Sequence, residues 1–389
     1  LLQIKVKSFN DCYKKYILFI LFIFFITKMS LSIRKPFKTE FLPSIGDLTY
    51  NFTLSPNPEG ARIDGGGSIN AFSYNEPAFG NGRWVTSSTQ SYADQRQLIS
   101  TSPTADFFDI CGNYNTGSNI NTTFFSNGRF FLGTTGFIPY STNGLNWVDV
   151  SDASLSSLTV GGFTSIPSTG RIVGIANNAA VYSDNSGNSW NVVSIPTFAG
   201  QKIAYNPTTD ILAAVSNGNG AARSLDKGLT WTKHDISSGQ FSGIAYGNGV
   251  FVAVNRTTAT VWSSTDASNW TLSSNFTSAN YAGFNPRSVA FGNGIFAVCV
   301  ASFSNPWPIP PGPLGPGIII SRDNGNTWQA LQTPYNTVNR ANRWNGIRFD
   351  NGVFVVSAEV SSGPYNMVGK PFIPISYNTI KVLPKYLKI

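Results

Sequence analysis

Residues able to do bond-making chemistry are scarce in this chain. One histidine, His234, excludes any reaction that needs two. Four glutamates occur (Glu40, Glu59, Glu76 and Glu359), and general-acid and nucleophile work on a glycoside needs two carboxylates at a set spacing. Three widely spaced cysteines, Cys12, Cys111 and Cys299, fit neither a disulfide framework nor a zinc cluster. The sequence holds no Gly-rich phosphate loop, metal-ligand spacing or nucleophile elbow, so no cofactor and no metal are expected. Recognition chemistry is plentiful, with 9 Trp, 15 Tyr and 29 Phe. Exposed Trp, Tyr and Arg are the usual anchors of interfaces and sugar-stacking sites. The binding candidates are Trp307, Tyr281, Arg287, Tyr335, Arg340, Arg343 and Tyr365, with Phe284 beside them, whereas Trp344 opens an apolar run and reads as core.

The elements that must position these residues follow from internal repetition. A tight-turn signature recurs between β-rich runs: GNGRWVTSS at 80–88, SNGRFFLGT at 126–134, STGRIVGIA at 168–176, GNGVFVAV at 247–254, GNGIFAVCV at 292–300 and DNGVFVVSA at 350–358. PTTDILAAV at 207–215 is a weaker copy, and successive spacings are about 40 to 46 residues, stretching to 58 before the last. Asn-Gly supplies the positive φ angles that a two-residue hairpin demands. The Val/Ile/Phe run behind each turn has the composition of a buried strand. In one unit, Phe241–Tyr246, Val250–Val254, Ala259–Ser263 and Trp270–Ser273 are expected as four successive antiparallel strands.

A second signature follows the middle copies. Ser224, Asp226, Gly228, Thr230 and Trp231 form an S-x-D-x-G-x-T-W box, as do Ser321, Asp323, Gly325, Thr327 and Trp328. Ser183, Asn185, Gly187, Ser189 and Trp190 form a close variant, and degenerate copies end at Trp147 and Trp270. The Asp or Asn side chain is expected to accept N–H groups inside the turn, the Gly to turn left-handed, and the Trp to pack over it. These boxes resemble the Asp-box, or BNR, repeat of sialidase-like β-propellers over about residues 60–389. The resemblance implies an all-β fold, a single seven-bladed propeller of four-stranded blades, in which the boxes are structural and not catalytic. Leu48–Leu54 reads as a strand that closes the ring.

Catalytic members of that family use an arginine triad, a Tyr–Glu nucleophile pair and an acidic Asp. Arginines are in supply here, but the family's Arg-Ile-Pro element has only Arg62-Ile63-Asp64 as a counterpart. Asp226 and Asp323 are committed to their boxes, and His234 reads as a surface residue. In the blade topology the Asn-Gly turns and the boxes share one face. The irregular insertions fall on the other: Ala301–Gly317, Glu359–Lys370, Asn275–Arg287 and Gln332–Arg343. Any site is expected there, near the central channel or beside the Pro-rich arm 301–317.

The net charge of +8 is concentrated at the ends: residues 1–40 hold eight Lys/Arg against two acids, while 41–369 hold 15 basic and 17 acidic residues. A folded body so near neutral lacks the basic stripe of a nucleic-acid binder. Ile17–Ile26 is an apolar run behind Lys14 and Lys15, too short for a membrane-spanning helix. Residues 1–28 read either as a signal-like leader or as translated upstream sequence, 29–59 as an extension carrying the closing strand, and 60–389 as the propeller. Five sequons, at Asn51, Asn121, Asn255, Asn269 and Asn275, suit a secreted route. The expected function is a non-catalytic binding or structural module that holds a protein or glycan partner on the loop-rich face. A virion-surface or secreted lectin-like setting fits the composition. The alternatives are an exo-glycosidase of sialidase type and a complex-assembly factor.

Overall fold

The computed structural model describes residues 49–55, 72–73, 75–87, 96–100, 105, 109–113, 118–218, 220–276, 284–302, 314–334, 343–360 and 366–372. All lie in the unit Ile45–Ile389. Strands dominate; the one helical turn described is the short 3-10 segment Ala153–Leu155. No described helix is long and apolar enough to cross a membrane.

The repeat predicted from sequence is present. Phe241–Gly247, Val250–Asn255, Thr260–Ser264 and Thr271–Leu272 pair antiparallel in chain order. The turn between the first two strands holds Asn248 at φ 49 and Gly249 at φ 82, and Asn81-Gly82, Asn127-Gly128, Asn293-Gly294 and Asn351-Gly352 repeat that geometry. Asn tolerates the left-handed region and Gly has no Cβ to clash, so this dipeptide closes the hairpin with the twist its strands need.

Among the described residues the hydrogen-bonded pairing gives five sheets, where seven blades were expected. Three have four strands, one has six and one has nine. Two local features join the units. Arg171–Ser183 runs without a break, although Arg171–Ala176 pairs with Val160–Ile166 and Ala179–Tyr182 pairs with Asn191–Ser194. Asn191–Asn206 likewise serves one neighbour with its first half and Ile211–Ser216 with its second. In the nine-stranded sheet a single pair, Ala301 with Arg343, joins two groups of strands. Thr49–Ser55 pairs antiparallel with Asn366–Phe372, so a strand from before the first repeat completes the sheet of the last.

Successive units are keyed together by a glycine and a ring. A Cβ on Gly80 would lie 2.1 Å from the Phe125 ring, on Gly247 2.1 Å from Phe291, and on Gly292 2.0 Å from Phe349. Each ring also packs on an aromatic across its own turn: Phe125 on Phe130 at 4.8 Å, Phe291 on Phe296 at 4.7 Å and Phe349 on Phe354 at 4.8 Å. The core consists of such seams; Phe131, Phe163 and Trp190 form the most aromatic of them, with Trp190 edge-on to Phe131 at 6.0 Å.

The Trp-terminated corners share one hydrogen-bond network. Ser224 Oγ donates to Asp226 Oδ1 at 2.8 Å and accepts from the Gly228 N–H at 2.8 Å; Asp226 Oδ1 accepts from the Thr230 N–H at 2.8 Å. Ser321, Asp323 and Gly325 reproduce it, as do Ser183, Asn185 and Gly187. The degenerate copies build it too, through Ser141 with Asn143 and Ser264 with Asp266. Trp231 and Trp328 fold over their turns and donate Nε1–H to the carbonyls of Gly228 and Gly325 at 3.1 and 2.9 Å.

Candidate functional site

The inner strand of the repeat is interrupted at one recurring place. Register shifts fall between Val160 and Gly162, Gly200 and Lys202, Phe241 and Gly243, Pro286 and Ser288, and Trp344 and Gly346. The extra residues are Gly161, Gln201, Ser242, Arg287 and Asn345, and all line a cavity of about 270 Å³. A bulge turns one residue out of the ladder and re-aims its side chain. Repeated around the sheets, it builds a ring of amide, hydroxyl and guanidinium groups. Asn75 and Asn121 complete the lining from the two earliest units, and Asn217, Gln240 and Arg256 add to it.

An ion pair floors this cavity. Lys202 Nζ lies 3.3 Å from Glu76 Oε2, each side chain only 17% exposed, and Ser288 Oγ donates to Glu76 Oε1 at 2.5 Å. Lys202 and Ser288 follow the bulge positions in their strands, and Glu76 follows Asn75 just ahead of the strand Ala78–Gly80. Other units have Gly162, Gly243 and Gly346 there, and a Cβ on Gly346 would sit 2.6 Å from the Glu76 backbone. The glycines leave room for a glutamate and a lysine to meet across the channel. Beyond the pair lies a second cavity of about 280 Å³, also bounded by Glu76 and Lys202 and lined by inner-strand residues such as Phe124, Thr164, Tyr246 and Arg348.

At the first mouth, Arg256 Nε donates to Gln240 Oε1 at 2.6 Å, and Asn285 Nδ2 donates to the Arg256 carbonyl at 2.8 Å. Tyr205, on the wall of the second cavity, has its hydroxyl pKa pushed up to about 12 by burial and by its hydrogen bond to Asp210. Burial also raises the Cys299 thiol, which keeps it protonated. Among the described residues no group of His, Cys, Asp and Glu could hold a metal ion.

Of the sequence-selected binding residues, Arg287 lies in the first cavity's lining. Trp307, Tyr281, Tyr335, Arg340 and Tyr365 lie outside the described residues, as do the side chains of Arg343 and Phe284 and most of the Pro-rich insertion. Trp344 is core, 4% exposed. None of the corner residues lines either cavity. His234 is half-buried, not superficial, and its Nδ1 meets Ser268 Oγ of the next sheet at 3.2 Å. Asn255, of the third sequon, is fully buried and accepts from the N–H groups of Thr257 and Thr258, so that sequon is sealed in the folded protein. Sequence reasoning missed Glu76, Lys202, Gln201, Asn345 and Arg256. For Gln201, Lys202 and Asn345 the signal is positional, at or beside an inner-strand bulge that no motif marks; Glu76 and Arg256 reach the cavity from outside the bulged strands.

No protein-family model matches the chain, and no curated protein matches it. Solved structures do. A streptogramin B lyase structure superimposes with a TM-score of 0.59 at 12% identity, covering 83% of this chain and 98% of that one. Virginiamycin B lyase from Staphylococcus aureus gives 0.58 at 14%, covering 83% and 99%. YCF48 bound to D1 peptide gives 0.57 at 11%, covering 82% and 96%. At these identities the likeness is one of fold, and the fold of the described sheets is a β-propeller.

Proposed function

We propose that this protein is a non-catalytic binding module: a seven-bladed propeller of Asp-box repeats that holds a protein or glycan partner at the loop-side mouth of its channel. The observation that carries this reading is the chemistry of the mouth. Amides and hydroxyls dominate its lining, and the single carboxylate among the described lining residues, Glu76, is already engaged by Lys202 and Ser288. Glycoside hydrolysis works through a pair of carboxylates. Amides both donate and accept, which suits peptide backbone and sugar hydroxyls alike.

Seven inner segments contribute to the cavity linings, the second half of Asn191–Asn206 among them, beginning with Asn75 and Glu76 ahead of Ala78–Gly80. That supports seven blades, with the merged sheets each holding more than one. The Ser-Asp-Gly corners support the Asp-box assignment by forming the same network in full and degenerate copies. A similarly folded protein, YCF48, is recorded bound to D1 peptide, and a peptide is one partner class that this mouth suits. An exposed virion component or a secreted lectin-like protein would both use such a surface.

The test is to probe glycan and peptide arrays with the intact protein and with Gln201→Ala and Arg256→Ala, alongside a fluorogenic sialoside assay. Binding that weakens in both variants, with no fluorophore released, is the expected result. Turnover that Glu76→Gln abolishes would establish the glycosidase reading instead.

A further inference from the structure

The second cavity, on the turn side of the Glu76–Lys202 pair, has a different chemistry from the first. Its described lining holds three charged groups: Glu76, Lys202 and Arg348. Glu76 and Lys202 neutralise one another. Arg348 therefore remains as a cation without an acidic partner among the described residues, half-buried, its guanidinium carbon 5.8 Å from the centre of the Phe124 ring.

Its position is unusual within the repeat. Arg348 stands three residues before the Asn of its turn, and at the same place in other units the chain has Ala78, Ala245 and Ala290. Small side chains around the channel leave the space that one long cation enters. Phe124 occupies the equivalent position in its own unit and supplies the ring face. A cation over an aromatic face is stabilised modestly and keeps its N–H donors in the ring's plane of approach free for another partner. Thr164 shares the register position of Arg348, two residues back from its turn, and brings a half-buried hydroxyl to the same cavity; it hydrogen-bonds to no other described residue. A guanidinium and an unused hydroxyl beside about 280 Å³ give the chamber a net positive lining.

The geometry points to a second ligand site at this end of the channel, specific for a small oxyanion-bearing molecule held by Arg348 and by the hydroxyl of Thr164. A guanidinium binds carboxylate and phosphate oxygens through paired N–H donors, and such charge-assisted bonds are the stronger kind. The chamber holds a phosphate or a small dicarboxylate; the chemistry shared by the two is the oxyanion. This site does not rest on the reading of the loop-side mouth, from which the ion pair separates it.

The test is calorimetric titration of the full chain with inorganic phosphate and, separately, with succinate, against sodium chloride at matched ionic strength. Saturable binding of phosphate or succinate, without a matching response to chloride, is expected, and the comparison tells a phosphoryl from a carboxylate ligand. Arg348→Gln should weaken it about tenfold or more, the order of a lost charge-assisted contact. Thr164→Val should weaken it less, and Arg256→Gln at the other mouth should leave it unchanged. If Arg348→Gln fails to fold, Arg348→Lys keeps the charge but loses the fork, and is expected to weaken succinate and phosphate binding by a smaller factor. A response that is unsaturable, equal for chloride, or unaltered in the Arg348 and Thr164 variants overturns the proposal. Loss in Arg256→Gln with no effect of Arg348 overturns it as well, without touching the binding reading of the loop side.

Discussion

Arg171 and Lys227 belong to neighbouring repeats, and Arg171 Nη1 donates to the Lys227 carbonyl at 3.1 Å. The same guanidinium holds Asp184 through Nε and Nη2 at 2.6 and 2.9 Å and lies 4.4 Å from the centre of the Tyr182 ring. Arg129 does the corresponding thing to the Ser186 carbonyl and Arg83 to that of Asn143, both at 2.9 Å. Each arginine follows the glycine of its hairpin turn, and each reaches the Trp-terminated corner of the next repeat. The corner carbonyl thus receives a charged donor from outside its own unit.

Removing this donor should loosen one seam. Arg171→Ala is expected to cost about 1.5–3 kcal/mol, the range for hydrogen bonds to charged groups. The Asp184 pair, whose acid is half exposed, adds little. Arg171→Lys should recover only part of the loss, because an ammonium cannot serve Asp184 and the Lys227 carbonyl together. Urea unfolding monitored by tryptophan fluorescence measures both, and an unchanged midpoint for Arg171→Ala would refute the seam role.

The corners predict acid sensitivity. Burial alone would raise the Asp226 and Asp323 pKa values, but the hydrogen bonds from Thr230 and Ser224, and from Thr327 and Ser321, outweigh it and hold both below the ordinary carboxylate range. Asp266 is held down in the same way by Asn269, Ser268 and Ser264. A depressed folded pKa means stability that is present above the unfolded value, near 4, and lost as the pH falls through the folded one. The urea midpoint should therefore drop below about pH 4, and Asp226→Asn should flatten that drop. Ser224→Ala should cost about 1–3 kcal/mol at neutral pH by stranding the Gly228 N–H. A midpoint in Asp226→Asn that falls with acid as steeply as in wild type would contradict the assignment.

The repeat was readable from sequence because its turns use residues with few substitutes. Asn-Gly is demanded by positive φ, and Ser, Asp and Gly by a network closed within a few residues. The buried strands were readable by composition, so the unit at 241–272 was placed to within a residue or two. The channel was not readable, for a physical reason. Glu76 and Lys202 are far apart in sequence and meet only once the ring brings their strands opposite each other. The bulge that exposes Gln201 or Asn345 is a register event without a residue signature. Local turn chemistry leaves a motif; long-range side-chain meetings leave none. The separate sheets were overcounted for the converse reason: at Asn177-Asn178 and the link at 196–199 the ladder continues through a register shift, the Asn177–Ala199 pair bridging it although Asn178 and Thr197 turn left-handed at φ 58 and 59.

His234 predicts a second pH dependence in another range. Burial, and then the nearby Arg223 charge, lower its pKa, and Nε2 has no partner among the described residues. The folded protein therefore holds a neutral imidazole, while the unfolded chain takes up a proton below about 6.5. Stability should fall as the pH drops below about 6.5, through the window down to the lowered folded pKa. His234→Gln should remove this component while leaving the acid transition of the corners in place. Thermal melts between about pH 5 and 7.5 decide it; parallel profiles for the two proteins would mean that His234 does not titrate differently in the fold.

The ion pair across the channel gives the last prediction. Glu76 and Lys202 come from different inner strands, and their side chains are mostly shielded, so their attraction is poorly screened. Removing one partner strands the other, whereas removing both relieves the desolvation that each suffers. Glu76→Gln keeps an acceptor for Ser288 but leaves Lys202 uncompensated, and should cost about 1.5–3 kcal/mol. Lys202→Met should cost a similar amount by leaving the carboxylate alone. The double variant should be less damaged than the sum of the two, with a coupling energy of about 1 kcal/mol or more. Because the pair is the floor shared by both cavities, its loss should also open the channel, so that occupancy of one mouth begins to affect the other. A cycle that closes additively would mean that the lysine and the glutamate are independent surface charges, and the division of the channel into two chambers would fall with it.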